Sequence, residues 1–461
     1  MHRDVVVVGG GIAGLAAAHE LALAGRDVLL LEASPELGGK LRAREVAGVG
    51  VDVGAEAMLN RRPEGVDLAR SVGLEVEHPA VVSSRIWTGG ALRPLPRSLM
   101  GVPLDLDQLD SSGVLDRAAL DRVRREPSLP PSEVGDDVSV GDLVDARLGP
   151  AVTDLLVEPL LGGVYAGRAR RISARAAVPQ LVAMAERGSL LEQGAAMAPA
   201  GATYAAPVFA GIAGGMGRLP AAVAEAVRAA GGEVRTGATV RALVRDGGGF
   251  RLTVGPTTAA ETATADAVVL ATPAAATARL LGEVAPVAAD ALGEVEAASV
   301  GVVTLAFAAD DVPELVGTGS SGFLVPPVEG RAIKASTFSF AKWAWVREAG
   351  AGAGVVHLRT SLGRHGDEAA LQAPDERLVE VSLADLHAAL GLRARPVDTH
   401  VQRWGGGLPQ YAVGHLARVA RVRAAVAEVP GLAVCGAAYD GVGIPAVIGS
   451  ARLAVRALSP H

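Results

Sequence analysis

The sequence predicts an α/β protein in which three separated segments build one domain, while the intervening segments build a mixed-sheet domain and an inserted helical subdomain. Three observations lead to this prediction. The chain opens with an apolar run, Asp4 to Val8, that passes through a glycine turn into an Ala/Leu-rich segment ending near Ala24. Alternating strand-like and helix-like patterns return over residues 214–271, and again over residues 432–455. Such alternation is typical of domains built on a parallel sheet.

The first segment carries the fingerprint of a dinucleotide-binding turn. Gly9, Gly11 and Gly14 fit the pattern G-x-G-x-x-G between a strand and a helix, the context in which this pattern is specific. These glycines form the turn, let backbone N–H groups approach a pyrophosphate, and place the helix N-terminus at the phosphates. A second strand, Val28 to Leu31, ends in Glu32, about 20 residues on, where an acid binds a ribose hydroxyl. The sequence therefore predicts a Rossmann-like domain.

The residues after this acid indicate which dinucleotide is bound. The segment from Ala33 ends in Gly38-Gly39-Lys40, a Gly-Gly-basic element that is typical of FAD oxidases and that NAD enzymes usually lack. The two glycines bring the backbone close to the cofactor, and the cation supports its negative charge. Lysine is rare in this chain, with only Lys334 and Lys342 besides Lys40. We therefore expect FAD as the cofactor.

Composition narrows the class of protein. The length of 461 residues suits two or three domains, and a net charge of −7 with scattered basic residues gives no nucleic-acid footprint. The densest basic cluster, Arg168 with Arg170 and Arg171, is explained equally well as a solvated loop. The single cysteine, Cys435, excludes an internal disulfide. Because the first apolar run is the nucleotide-binding strand and no signal peptide precedes it, we expect a cytoplasmic protein.

A mean hydropathy of +0.33 raises the question of membrane spans. The apolar runs are broken by glycine, proline or charge well short of the roughly 20 residues that a transmembrane helix needs. We therefore expect no transmembrane segment, and we leave peripheral membrane contact and the oligomeric state open. The nine histidines form no H-E-x-x-H or Cys/His cluster, so no metal is expected.

The remaining patterns divide the chain into domains. Pro63 to Val72 is helix-like, Arg85 to Leu92 predicts a hairpin around a Gly-Gly turn, and Ser139 is expected to cap a helix. The stretch from Glu126 to Asp137 is predicted as a loop, and residues 194–207 as a mobile connection. The predicted division is an FAD-binding domain of residues 1–79, 208–282 and 403–461, a substrate domain of residues 80–110 and 283–402, and a helical subdomain of residues 111–193.

Several phrases of the sequence resemble the protoporphyrinogen/coproporphyrinogen oxidase family of the flavin monoamine-oxidase-like superfamily. The resemblance rests on Gly9 to Gly14, Gly38 to Lys40, Leu160 to Gly167, Lys342-Trp343, Arg403-Trp404, Pro409 to His415, and Gly436 to Pro445. It covers nearly the whole chain, and the last two phrases are the most specific. The resemblance implies a porphyrinogen-oxidising FAD enzyme that uses molecular oxygen, and the Gram-positive branch that acts on coproporphyrinogen III is the most similar.

The resemblance also implies roles for individual residues. Adenosine, pyrophosphate and ribityl are expected at Gly9, Gly10, Gly11, Ile12, Ala13, Gly14, Glu32, Ala33, Lys40, Gly54, Ala55, Glu56, Ala57 and Met58, and adenine at the backbone of Val240. The isoalloxazine is expected beside Trp404, Val442, Gly443 and Ile444. Substrate contacts are expected at Arg62, Arg85 and Ser361, although relatives tend to carry tyrosine at the last position. His415 is expected to be structural.

No catalytic side chain is assigned, because the family's substrate gives hydride to the flavin while a pyrrole N–H loses its proton. Three such two-electron oxidations would yield a porphyrin and three peroxides. The alternatives are protoporphyrinogen IX as substrate, an amine oxidase, a carotenoid-type desaturase, and a non-catalytic flavoprotein sensor. An amine oxidase would want an aromatic cage, and only 3% of the residues are aromatic. A desaturase would lack the phrase from Pro409 to His415.

Overall fold

The structure of the protein, a computed structural model, describes residues 2–81, 83–197 and 207–458. Its strands in chain order are β1 His2–Val8, β2 Val28–Leu31, β3 Ala43–Val46, β4 Val49–Asp52, β5 Met58–Leu59, β6 Val76–Glu77, β7 Ser84–Thr88, β8 Ala91–Pro94, β9 Ser98–Leu99, β10 Val102–Pro103, β11 Phe209–Ile212, β12 Glu233–Arg235, β13 Val240–Asp246, β14 Gly249–Val254, β15 Glu261–Leu270, β16 Ala297–Ala308, β17 Gly322–Leu324, β18 Ile333–Thr337, β19 Val355–Leu362, β20 Asp398–Pro409 and β21 Leu432–Val434.

The α-helices in chain order are α1 Ile12–Leu23, α2 Pro63–Ser71, α3 Leu106–Ser112, α4 Arg117–Arg124, α5 Val140–Arg147, α6 Pro150–Val152, α7 Glu158–Tyr165, α8 Ala174–Ala177, α9 Pro179–Arg187, α10 Leu190–Met197, α11 Arg218–Ala229, α12 Ala274–Leu281, α13 Pro286–Gly293, α14 Pro313–Val316, α15 Ser339–Lys342, α16 Ala344–Ala353, α17 Asp375–Leu390, α18 His415–Ala427 and α19 Ile444–Leu458. Among the described residues, none of these helices is both long enough and apolar enough to span a membrane.

The first sheet contains the strand that leads into the glycine turn. Its strands run in the order β12-β2-β1-β15-β14-β13, with β21 also paired to β15. The central strand β1 is parallel to both of its neighbours. Val5 to Val8 are all buried, because α1, α11 and α19 cover one face of the sheet and α12, α13 and α18 cover the other. An uninterrupted apolar run is what a strand covered on both faces requires.

The second sheet carries the candidate substrate domain. Its strands run in the order β20-β16-β19-β18-β17-β7-β8, and the pairing is antiparallel except between β17 and β7. The helix α17 covers one face, where the Thr360 hydroxyl donates to the Ser382 hydroxyl at 2.8 Å. A separate apolar core holds α3 to α10 together and reaches Ile86 on β7. The α/β class, with a mixed second sheet and a helical subdomain, is therefore confirmed.

Several local predictions are confirmed as well. The strands β7 and β8 form the predicted hairpin. The Ser139 hydroxyl accepts the N–H of Asp142 at 3.0 Å and so caps α5. The predicted loop from Glu126 is wrong over its first three residues, because Glu126–Ser128 form a 3-10 helix in which Glu126 is buried in an ion pair with Arg147. The predicted mobile connection lies largely outside the described residues, and its first four residues continue α10.

Three of the predicted boundaries need correction. The boundary between residues 402 and 403 falls inside β20, which belongs as a whole to the second sheet. The boundary after residue 282 assigns α13 to the substrate domain, but α13 shares a core with α12 and α18 of the first domain. Residues 98–109 belong with the helical subdomain, because Leu109 is buried in that core. The three errors have the same cause. The chain enters a new domain where the elements that it packs against change, and the local sequence pattern does not mark that point.

Asp52 links two separated segments of the first domain. Its carboxylate accepts the N–H of Met216 at 2.8 Å and of Gly217 at 2.8 Å, at the start of α11. Burial raises the pKa of Asp52 to about 6, against the opposing effect of these two hydrogen bonds. The carboxylate is therefore a buried acceptor that serves two donors.

We expect Asp52→Asn to lower the free energy of unfolding by about 1–3 kcal/mol, because the amide turns one acceptor into a donor and leaves a buried N–H unsatisfied. Urea denaturation followed by circular dichroism measures the change. The control is Asp246→Asn at the end of β13, whose exposed ion pair with Arg251 contributes little, so this variant should stay within about 0.5 kcal/mol of the parent. Equal stability of the two variants would contradict this role.

Candidate flavin and substrate site

The glycine turn is closed by contacts that only glycine permits. At the end of β1, the N–H of Gly9 donates to the Leu31 carbonyl at 2.8 Å. A Cβ on Gly14 would lie 1.8 Å from the Gly9 carbonyl oxygen, so α1 packs directly against the turn. Gly14 therefore sets how closely the helix meets the strand, as the sequence pattern predicts.

Gly11 meets a different requirement, because a Cβ there would have no protein atom within 4 Å. Gly11 immediately precedes α1, with Ile12 and Ala13 in the first turn of the helix. The N–H of Gly38 donates to the Gly10 carbonyl at 2.8 Å, which brings the second glycine segment over the first. The open space thus lies at a helix N-terminus between two backbone segments, and this geometry fits a pyrophosphate.

Glu32 lies at the other side of the turn. Its carboxylate accepts the N–H of Gly10 at 2.5 Å and of Ser34 at 2.7 Å. Because a carboxylate offers about four acceptor positions, capacity remains for a ribose hydroxyl. The Glu32 carbonyl accepts the N–H of Ala238, which places Val240, the first residue of β13, on the same side as Glu32 and Ala33.

Lys40 is a cation without a partner. Its Nζ has no hydrogen bond and no ion pair within the described part of the chain, and burial lowers its pKa. The carbonyl of Lys40 accepts the N–H of Ala55 at 3.0 Å, and its side chain passes beside Gly407 and Trp404. Lys40 is half-buried, and an ammonium that is partly removed from water without a partner is costly, so this position fits a negatively charged or strongly accepting group.

The turn from Gly54 to Met58 is anchored by a buried ion triad. The Glu56 carboxylate accepts Lys342 Nζ at 2.6 Å and lies 3.1 Å from the Arg359 guanidinium. Burial alone would raise the pKa of Glu56, but the attraction of Arg359 and Lys342 outweighs it and lowers that pKa. Arg359 also donates to the Gly54 carbonyl at 2.7 Å. The Glu56 side chain is thus committed to the substrate domain, and only its backbone is left for a cofactor.

Trp404 lies on β20 where this turn meets the second sheet. It pairs in register with Val300, and a Cβ on Gly54 would lie 3.3 Å from its ring. The Arg42 guanidinium is 5.3 Å from the Trp404 ring centroid. The predicted residues Lys40, Gly54 and Trp404 therefore come together, although 364 positions separate the first from the last.

The start of α19 forms another wall of this region. Ile444 is buried in the core of the first domain, whereas Val442 packs against the core of the helical subdomain. A Cβ on Gly65 would contact both Met58 and Ile444. The segment Val442-Gly443-Ile444 thus lies where the predicted flavin site meets the helical subdomain.

The second sheet exposes one row of side chains toward the helical subdomain. Successive strands align these residues, each half-buried: Gln402, Val302, Ser361, Ala335 and Leu324. The next residue in this register is Ile86, which packs against the helical core. The row on the opposite face is buried beneath α17: Val303, Thr360, Ser336 and Phe323. We propose that this half-buried row faces a substrate cavity, and we call it the cavity floor.

Arg85 is in register with Phe323 and so lies on the face opposite to Ser361. The two residues cannot contact the same face of one substrate, and the expected contact at Arg85 stays a prediction. The strand alternation that would have revealed this depends on the pairing of five strands, which the local sequence does not show. Ser361 lies on the cavity floor, and its substrate contact stays a prediction.

Arg62 already has an anionic partner. Its guanidinium lies 2.7 Å from the Glu64 carboxylate and packs near Gly449 of α19. A substrate carboxylate at this position would compete with Glu64. The expected contact at Arg62 stays a prediction.

The two most specific phrases of the sequence meet at Tyr411. Its hydroxyl donates to the Ala437 carbonyl at 2.7 Å and accepts the N–H of Gly441 at 2.8 Å. The His415 ring stacks on Tyr411 with centroids 3.8 Å apart, and burial lowers the pKa of His415 to about 4. His415 is therefore neutral and buried. The two hydrogen bonds of the Tyr411 hydroxyl hold the segment that leads into α19 in place.

Residues 12–459 match the flavin containing amine oxidoreductase family. The chain belongs to this family. Coproporphyrinogen III oxidase of Mycobacterium tuberculosis is 37% identical, and the match covers 98% of this chain and 96% of the relative. The enzyme of the same name from Bacillus subtilis is 30% identical, with 98% and 97% covered.

Solved structures agree on the fold of this family member. A structure described as a protoporphyrinogen oxidase from Exiguobacterium sp. superposes with a TM-score of 0.86 at 31% identity, and the match covers 99% of this chain and 98% of that one. Cyclohexylamine oxidase from Brevibacterium oxydans has a TM-score of 0.69 at 16% identity over 99% of this chain and 98% of that one, which shows the fold alone. The family resemblance and the expected flavin cofactor are confirmed.

Sequence reasoning missed Arg359 and the ion triad. The sequence signal for this contact was Arg359 itself, a single arginine in the alternating, largely apolar stretch from Val355 to Leu362. A charged residue at such a position needs a buried partner, but the partner, Glu56, is about 300 residues away. Only the folded chain identifies it.

We expect Gly11→Val to abolish flavin binding while the chain still folds. A side chain at Gly11 would enter the space that fits the pyrophosphate, and its backbone conformation, with φ of −71°, suits valine. Absorbance of the purified protein near the flavin maximum measures the loss. The control is Gly248→Val on a distant hairpin, where an added Cβ would likewise have no atom within 4 Å. Normal flavin content in Gly11→Val would refute the assignment of the turn.

We expect Glu56→Gln to lower the free energy of unfolding by about 3–5 kcal/mol, because Lys342 and Arg359 would then be buried without an anion. The control is Glu36→Gln, whose ion pairs with Arg42 and Arg44 involve a carboxylate that is 47% exposed. This exposed network should cost less than about 1 kcal/mol. Chemical denaturation measures both variants, and similar losses would contradict the anchoring role of Glu56.

Proposed function

We propose that the protein is an FAD-dependent oxidase that converts coproporphyrinogen III to coproporphyrin III in heme biosynthesis. The overall reaction would remove six electrons, with molecular oxygen as acceptor and three peroxides as by-product. The observation that carries the proposal is the half-buried cavity floor, which begins beside Trp404 and extends over five strands toward the helical subdomain. The names of the full-length relatives support the same substrate.

The cavity floor suits the flat face of a large, weakly polar molecule. Val302, Ala335 and Leu324 provide apolar contact, and Gln402 and Ser361 are its polar members. These side chains can orient a tetrapyrrole and exclude water, but they include no acid or base. A bound FAD supplies the ring that accepts a hydride and passes the electrons to oxygen. The proposed reaction thus needs from the protein mainly position and a dry environment.

The ion triad has a defined task in this scheme. Arg359 holds both the Glu56 carboxylate and the Gly54 carbonyl, and it lies on the same strand as Ser361. The cofactor-binding turn and the cavity floor are therefore fixed relative to each other. Such positioning lowers the entropic cost of bringing a substrate carbon to the cofactor.

The positions of the aromatic residues give less support to an amine oxidase. Trp404 is half-buried at the end of the cavity floor, whereas Tyr411 and Tyr439 are buried within the cores of the helical subdomain and the first domain. Because both tyrosines lie in these cores, neither can stand opposite Trp404 to enclose an amine. Protoporphyrinogen IX stays the alternative substrate within the same chemistry. We also propose a cytoplasmic location, in keeping with the reducing environment that suits a single free cysteine.

We expect the purified, FAD-loaded protein to oxidise coproporphyrinogen III with a kcat/KM at least several-fold above that for protoporphyrinogen IX. The physical reason is that the first substrate carries four carboxylates and the second carries two. Porphyrin fluorescence measures product, and an oxygen electrode with a peroxide assay measures the acceptor. Flavin-free Gly11→Val is the control for uncatalysed oxidation. Equal or reversed kcat/KM values would assign protoporphyrinogen IX, and no porphyrin above the control would overturn the proposed function.

A further inference from the structure

Lys334 is a buried cation that the proposed reaction does not use. The residue is 5% exposed, and its Nζ donates to the Gly363 carbonyl at 2.9 Å. Within the described residues it has no carboxylate at ion-pair distance. Burial and the nearby Arg364 lower the pKa of Lys334 to about 7. A single carbonyl is a weak partner for an ammonium that has lost its water.

Arg364 is a second cation that lacks a carboxylate at ion-pair distance among the described residues. Its guanidinium donates to the Val325 carbonyl at 3.1 Å, and no acid in the described part of the chain pairs with it. Burial lowers the pKa of the half-buried Arg364 as well, against the attraction of Asp367 and Glu158. The two adjacent cations repel each other, and these two carboxylates lie beyond ion-pair distance, so an anion bound between the cations would lower the free-energy cost. We call Lys334 and Arg364 the cation pair.

The cation pair borders the cavity floor at three of its strands. Lys334 lies next to Ala335 at an irregularity in the pairing of β18 with β19, so the strict alternation of faces does not apply to it. Val325, whose carbonyl binds Arg364, follows Leu324, and Gly363, whose carbonyl binds Lys334, follows Ser361 by two residues. The strands that carry Ser361 and Trp404, β19 and β20, flank β16. Two strand spacings amount to roughly 10 Å. A tetrapyrrole with a side arm is large enough to cover this separation.

The helix α7 provides the facing wall and a third cation. It packs against β18, and Arg168, three residues past its end, is exposed and close enough to lower the pKa of Arg364. Its neighbours in the basic run are paired, Arg170 with Asp145 and Asp154 and Arg171 with Glu296. Among the described residues, Arg168 has no such ion pair. The basic run is therefore not a uniformly solvated loop.

We propose that the cation pair binds a propionate carboxylate of the tetrapyrrole, with Arg168 at the rim of the cavity. This inference rests on the proposed function. It places a cationic contact beside Ser361, whereas Arg85 lies on the opposite face of the sheet. The carboxylate would receive charge-assisted hydrogen bonds from Lys334 Nζ and the Arg364 guanidinium, which are among the stronger hydrogen bonds in proteins. The ring would then lie over the apolar part of the floor.

The test compares binding of coproporphyrin III with binding of its tetramethyl ester, which keeps the ring but has no carboxylate. Both are titrated into FAD-loaded protein in the same mild detergent, with fluorescence as the readout. The variants are Lys334→Met and Arg364→Gln. The matched control is Arg377→Gln, an exposed arginine on α17, which covers the opposite face of the same sheet. Thermal unfolding of each protein is recorded in parallel.

We expect each cation variant to bind the acid roughly 10- to 100-fold more weakly and the ester with unchanged affinity, as loss of one charged hydrogen bond predicts. The control should bind both ligands like the parent. The Tm of Lys334→Met should be unchanged or higher, because the variant removes a desolvated charge.

The inference is overturned if both variants bind the acid like the parent, or if they weaken acid and ester equally together with a lower Tm. The first result would make the cations bystanders, and the second would make them structural. Turnover of coproporphyrinogen III by the parent protein tests the proposed function separately. A parent that turns over substrate, with variants that keep the acid-to-ester ratio, would reject the cation pair alone.

Discussion

The candidate site depends on one buried electrostatic contact, the ion triad of Glu56, Lys342 and Arg359. Glu56 belongs to the turn that follows β4, whereas Lys342 ends α15 and Arg359 lies on β19 of the second sheet. The triad thus crosses the junction between the two sheets. Because each partner is largely buried, loss of one charge would leave the others without compensation. The position of the cavity floor relative to the proposed flavin site follows from this contact.

Two other lysines, one half-buried and one buried, have no anionic partner among the described residues, and we propose that they mark where ligands bind. Lys40 lies beside Gly54 and Trp404, and Lys334 lies beside the cavity floor. Folding alone gives no reason to bury an ammonium that has no counter-charge. A charged ligand at either position would recover this cost, and the chain would then trade stability for recognition.

Two segments far apart in the sequence support the helix that closes the site. The Tyr411 hydroxyl bonds the backbone on both sides of Tyr439, and the stacked His415 fills the space behind it. Both rings are deeply buried, which disfavours a role for either as an acid or base. The phrases that most strongly suggested a family by their sequence therefore support the site mechanically, while the residues facing the cavity are less distinctive.

The sequence by itself determined the nucleotide domain and its cofactor class, because these depend on local features. The turn from Gly9 to Gly14, Glu32 and Lys40 each act through backbone geometry or a charge at a fixed distance along the chain, so their pattern can be identified without a fold. Only the tertiary structure decided the substrate side. Which face of the second sheet Ser361 and Arg85 occupy depends on the register of strands up to 280 residues apart, and the partners of Arg359 and Lys334 depend on packing between domains. A side chain's surroundings in a cavity are set by such non-local pairings, and local sequence carries no record of them.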